Sequence, residues 1–240
     1  MAAQNYFDEV KKLINRVEDT QLDKIKKAGK IFAQVIEEDK LIHIMGTGHS
    51  HMIAEELFVR AGGIAPVNAI LDENIILTAG ARKSSKLEKL EGLAEIIWDE
   101  HEIDKDDIML IVSNSGRNSV PIEMALKAKK EGLYLIAITS LKHSKNSESR
   151  HSSGKKLYEI ADLVFDNCVP HGDSLLEFND VKSGPGSTVA GVVIVNSIIA
   201  EALSILSQKG IPLPVYGSQN VDGISNESLF KKYDKRIKYL

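Results

Sequence analysis

Apolar residues in the first forty positions recur at helical spacing: Phe7, Val10, Leu13, Ile14 and Val17, then Leu22, Ile25, Ala28, Ile31, Phe32, Val35 and Ile36. This spacing predicts two amphipathic helices before any strand. The pattern then changes, because Leu41-Ile42-His43-Ile44-Met45 is apolar at nearly every position, as in a strand covered on both faces. Gly46-Thr47-Gly48 stops it, and a helix is predicted from about Ser50 to Ala61, ended by Gly62-Gly63. Further strands are predicted at Val67 to Leu71, Ile108 to Val112, Leu133 to Thr139 and Ala161 to Phe165. Between them, Leu87, Leu90, Leu93, Ile96, Ile97 and Trp98 mark one helix and Pro121 to Glu131 another, while Ser187 to Ser207 is long and mostly apolar. Strands alternating with helices predict an α/β fold, a parallel sheet covered on both sides. His143 to Lys156 is almost all polar and predicts a long exposed loop, mobile or lid-like.

Composition narrows the class. The chain has 240 residues, 43% hydrophobic and 27% charged, with a formal net charge of -4. That suits one domain with a substantial core over about 35–210, an N-terminal helical pair over 1–38 and a tail over 211–240. The charge offers no general field for nucleic acid or an acidic membrane surface, and no wholly apolar run approaches the roughly 20 residues of a membrane span. Neither partner is therefore expected. The first residues lack a basic segment followed by an apolar one, and the one cysteine, Cys168, can form no internal disulfide. Both features predict a cytoplasmic protein, with Cys168 a small packed residue rather than a nucleophile.

The chemistry concentrates in two turns. Ser113-Asn114-Ser115-Gly116-Arg117-Asn118-Ser119 joins a predicted strand to a predicted helix, and so does Gly46-Thr47-Gly48-His49-Ser50. Unpaired amides of a first helical turn, the helix dipole and serine hydroxyls together favour an anion, most simply a phosphate. Both turns fall at carboxyl ends of strands, where parallel sheets bind their ligands. The glycine pair also suits a dinucleotide, but His51 stands where that fingerprint has its third glycine, and no acidic residue ends the second strand.

Together, Gly46-x-Gly48-x-Ser50, Ser113-x-Ser115-Gly116, Ala128-x-x-x-Gly132 and the apolar strand ending in Thr139 resemble the SIS (sugar isomerase) domain over roughly residues 35 to 210. The resemblance implies a three-layer α/β/α sandwich around a five-stranded parallel sheet, of flavodoxin-like type. It also implies a phosphorylated sugar held by Gly48, His49, Ser50, Ser113, Asn114, Ser115, Gly116 and Asn118. Asn118 departs from the family, which has Ser or Thr there; either Ser119 compensates or Asn118 caps the helix. Ala54-Glu55-Glu56-Leu57 and Val169-Pro170-His171 are similar to segments of phosphoheptose isomerase, which implies Glu56 as a catalytic carboxylate. The interval from Ser50 to Glu56 is about one helical turn short of that family's. The isomerase's later histidine has no counterpart between Ser187 and Ser207. Gly186-Ser187-Thr188-x-Ala190-Gly191 and Asn196 resemble N-acetylmuramic acid 6-phosphate etherase, which adds Ser187 and Thr188 as donors; both are also ordinary helix caps.

Aldose–ketose isomerisation needs a base beside the carbonyl and often a group that opens the ring. Adjacent helical residues point about 100° apart, so one of Glu55 and Glu56 faces a pocket. Glu56 is the first choice, with a surface ion pair as its plain alternative, and His171 is the candidate ring-opening group. Glu177 and Asp180 are reserves should their loop fold over the ligand, and Arg117 is a candidate for neutralising phosphate. His43 alternates with apolar residues and is expected in the core. No cofactor is expected. A divalent metal on His49, His51, Glu56 and His171 is conceivable, without the spacing of a known metal motif. Three functions follow: a sugar-phosphate isomerase, an etherase-like lyase, and a non-catalytic sugar-phosphate sensor. The resemblance and the apolar N-terminal surface imply a homodimer or homotetramer.

Overall fold

In a computed structural model, residues 1–240 form a five-stranded parallel sheet in the order β2-β1-β3-β4-β5. The strands are β1 (Ile42–Gly46), β2 (Val67–Ile70), β3 (Ile108–Val112), β4 (Tyr134–Thr139) and β5 (Leu163–Asp166). Ile42 of β1 lies opposite Val67 on one side and Ile108 on the other, fixing the register of the central strands.

Successive strand residues face opposite sides, which divides the core in two. Ile108, Leu110 and Val112 of β3 pack with α1 (Ala2–Glu37), α2 (His51–Leu57) and α8 (Ser187–Gln208). Met109 and Ile111 face α4 (Leu93–Asp99) and α5 (Ser119–Lys130). The result is the three-layer α/β/α sandwich expected from the resemblance.

The N-terminus is one helix of 36 residues, not two. It has no proline, the Thr20 hydroxyl donates back to the Arg16 carbonyl within the helix, and its buried stripe runs unbroken from Leu13 to Val35. Gly29 lets α8 come close: a Cβ there would lie 2.5 Å from Glu201 Cγ. The helix expected around Leu87 to Trp98 is instead two, α3 (Ala81–Leu87) and α4, parted at Gly92 with φ +88°. α2 ends at Leu57, before Gly62-Gly63, with Val59 in the left-handed region. By length and composition α8 could cross a membrane, but here it packs along α1 and α2 as a core helix.

Residues 143–156 are tied down. α6 (Leu141–Lys145) runs into the segment and α7 (Leu157–Ile160) follows it; the amides of Arg150 and of adjoining Leu157 donate to the carbonyls of Arg117 and Gly116 at 2.8 and 2.9 Å. An exposed hairpin, β6 (Leu176–Phe178) and β7 (Val181–Ser183), precedes α8. The C-terminal tail contributes α9 (Glu227–Tyr233), and Tyr216, Tyr233 and Ile237 pack on Leu41 and Ala65.

Candidate functional site

Gly46 closes β1 against the next turn, since a Cβ there would meet the Ser50 carbonyl oxygen at 2.4 Å. This close approach swings Ser50 to the carboxyl edge of the sheet. The turn after β3 reaches the same edge, where the Gly116 N–H donates to Ser113 Oγ at 3.1 Å. Gly116 has φ +57°, and its missing Cβ leaves room for Leu157, Ser144 and Thr139. The first residues of α8 complete the arrangement: Ser50, Ile53, Val112, Asn114, Asn167, Ser187 and Thr188 line one narrow cleft. Four segments far apart in the chain thus converge on it. Asn167, which sequence patterns did not single out, donates from Nδ2 to Asn114 Oδ1 at 3.0 Å and orients that side chain.

Several predicted phosphate donors are already engaged. Asp173 Oδ1 accepts from the amides of Gly186 and Ser187 at 3.0 and 2.8 Å, and Oδ2 accepts from the Ser187 hydroxyl. A carboxylate therefore caps the first turn of α8. Asn118 Oδ1 accepts from Arg150 Nη1 at 3.0 Å, and the Ser119 hydroxyl donates to the Lys89 carbonyl at 2.9 Å, so buried Ser119 does not stand in for Asn118. Ser50, Asn114, Ser115 and Thr188 remain partly accessible, as does Gly48, and His49 is exposed.

Glu56 is one turn beyond Ile53 on α2, its carboxylate one-fifth exposed. Asn196 Nδ2 donates to Oε1 at 2.9 Å, and Arg60 pairs with Oε2. Glu55 is half exposed, 3.5 Å from His51 Nε2. His171 stacks on His143, ring centroids 4.4 Å apart, outside the cleft lining. Burial, His171 and Arg117 together push His143 below the usual histidine range. Glu177 and Asp180 stay exposed on the hairpin.

The imagined metal set does not converge. His51 Nδ1 contacts the Gly48 carbonyl, Glu56 pairs with Arg60, and His171 lies against His143. Glu91, Glu123 and His151 do bring ligand atoms within 4.8 Å of one another, outside the cleft lining. Their carboxylates already accept the amides of Ser152 and Gly92. Cys168 is half-buried beside Thr20, and burial raises its thiol, which suits packing rather than attack.

At the opposite end of the sheet, His43 is fully buried, with Nε2 2.9 Å from Asp107 Oδ2. Asn68 Nδ2 lies 2.9 Å from its other ring nitrogen and 3.3 Å from His101 Nδ1. This polar network is remote from the cleft, as the core placement of His43 implies.

The SIS domain profile matches residues 5–140. A UPF0309 protein of Caldanaerobacter subterraneus subsp. tengcongensis is 45% identical over 98% of both chains. The fold is similar to a phosphoheptose isomerase from Francisella tularensis, with TM-score 0.56 and 17% identity over 85% of this chain and 97% of that one. It is also similar to the Vibrio vulnificus NanR protein complexed with ManNAc-6P, with TM-score 0.55 and 12% identity over 88% of this chain and 65% of that one.

Proposed function

This chain belongs to the SIS domain family, and from that premise we propose that its cleft holds a phosphorylated sugar and isomerises it between aldose and ketose, with Glu56 as the base. The observation that carries the proposal is the meeting of Ser50, Asn114, Ser187 and Thr188 on one cleft at the carboxyl edge of a parallel sheet. Structural relatives that include an isomerase and a protein bound to a sugar phosphate support the same chemistry.

Phosphate binds at Ser50, Asn114 and Ser115, where hydroxyls, side-chain amides and the backbone of the β3 turn supply donors. Glu56, oriented by Asn196 and Arg60, takes the proton from the carbon beside the carbonyl and returns it to the neighbouring carbon, so no net proton is gained or lost. The assembly we favour is a homodimer or homotetramer. α8 is strongly apolar, Val192, Val193, Leu203 and Ile205 on it are only half-buried within one chain, and Met52 on α2 is 42% exposed. A second copy on that face covers Glu56 and excludes water from the base.

The test is a thermal-shift screen of sugar phosphates, followed by deuterium exchange from solvent at the carbon beside the carbonyl. Stabilisation with exchange is the expected result. Stabilisation without exchange points to a sensor or an etherase-like lyase instead, and no stabilisation by any sugar phosphate rejects the proposal.

A further inference from the structure

We propose that Arg117, His143 and His171 form a second anion subsite beside the cleft, which selects phosphorylated sugars carrying a further carboxylate or phosphate. The inference rests on the sugar-phosphate assignment of the cleft and adds to it the charge of the substrate.

The three side chains come from the segments that follow β3, β4 and β5, so the sheet itself brings them together at one edge. The rings of His143 and His171 lie 4.4 Å apart with planes inclined by 35°. Gly116, next to Arg117 in the chain, lies against Ser144, next to His143, and the charge of Arg117 helps to lower His143. Arg117 Nε is buried and has no hydrogen-bond partner. A buried, unanswered guanidinium donor is costly, and the planar fork of arginine matches a carboxylate or a phosphate. The nearby carboxylate that acts on His143 is Asp173, and both of its oxygens are spent on the first turn of α8. The cluster therefore has donor capacity that its neighbouring carboxylate does not take up.

The cluster is distinct from the phosphate cleft, because none of the three residues lines it. It is also continuous with the cleft. Arg117 shares a turn with Asn114, and the Gly172 N–H approaches His143 Nδ1 at 3.5 Å one residue before Asp173 reaches Ser187. The ring nitrogens of His143 and His171 add hydrogen-bonding positions for an anion that pairs with Arg117. A sugar whose phosphate occupies the cleft and whose second acidic group reaches this cluster supplies that anion.

The test is isothermal titration of the full chain, at constant ionic strength, with two matched pairs: glucose 6-phosphate against 6-phosphogluconate, and fructose 6-phosphate against fructose 1,6-bisphosphate. In at least one pair the doubly anionic member binds about tenfold tighter or more, as a charge-assisted contact predicts. Arg117→Gln and His171→Asn each reduce that advantage to less than about threefold, while the affinity for the singly anionic member changes by less than about twofold. His171 is exposed, so His171→Asn carries the test if Arg117→Gln fails to fold. Equal binding within both pairs overturns the subsite alone, as does an equal loss for both members of a pair in Arg117→Gln. Binding of none of the four overturns the sugar-phosphate assignment and the subsite together.

Discussion

Asp173 caps α8 through Ser187, its carboxylate accepting both the backbone amide, at 2.8 Å, and the hydroxyl. Gly172 and Asp173 both adopt left-handed backbone, at φ +86° and +54°, to bring the carboxylate there. Asp173→Ala loses the cap and strains the turn, and costs about 1–2 kcal/mol in urea unfolding. Asp173→Asn costs less, because Asn keeps an acceptor and tolerates left-handed backbone. Equal stability of Asp173→Ala and the parent would show that the contact does not secure the helix.

Glu56→Gln keeps the volume and the Asn196 contact but removes the base. Exchange of the substrate proton with solvent falls by about 100-fold or more, while the dissociation constant of the sugar phosphate stays within about threefold. A comparable loss of both would make Glu56 a binding or structural group, the plain ion-pair partner of Arg60.

Arg150→Ala removes the contact with Asn118 while leaving the backbone bonds of the segment in place. The expected cost is about 1 kcal/mol. Faster amide hydrogen exchange across residues 147–154, with the sheet unchanged, is the local signature. Unaltered exchange there would mean that the backbone bonds hold the segment unaided.

Acid should weaken the fold at the end of the sheet opposite the cleft. Burial, with Lys238 and His43 adding to it, lowers His101 from 6.5 to about 4. Between those values the unfolded chain binds a proton that the folded chain does not, so stability falls as pH drops from 6.5 toward 4. Burial alone would raise Asp107, but hydrogen bonds from His43 and the Leu41 amide prevail and hold it below 3.8. Its contribution is lost at lower pH still, as the carboxylate takes up its proton. Urea midpoints between pH 7.5 and 4.5 measure the first effect, and His101→Asn should flatten that slope.

The strands were legible because a parallel sheet buried on both faces writes itself as short, nearly continuous apolar runs, and all five appear within a few residues of their predicted places. The join of the N-terminal helix was not. Apolar periodicity reports which face is buried and is silent on whether two helical stretches share an axis, which the continuous packing of Leu13 to Val35 in the core with α8 settles. The 143–156 segment had the composition of a mobile loop, yet the backbone bonds of Arg150 to Arg117 and of adjoining Leu157 to Gly116 leave no trace in side-chain polarity.

By itself, the sequence determined the α/β layering, the two small-residue turns and their place at strand ends, since these depend on local spacing and backbone preference. Tertiary structure decided which donors remain free. Asp173 takes the α8 amides, Arg150 takes Asn118, and Arg60 with Asn196 takes Glu56, at sequence separations from 4 to 140 residues. A hydrogen bond depends on where two groups end up in space, and only the packed sheet and helices fix that.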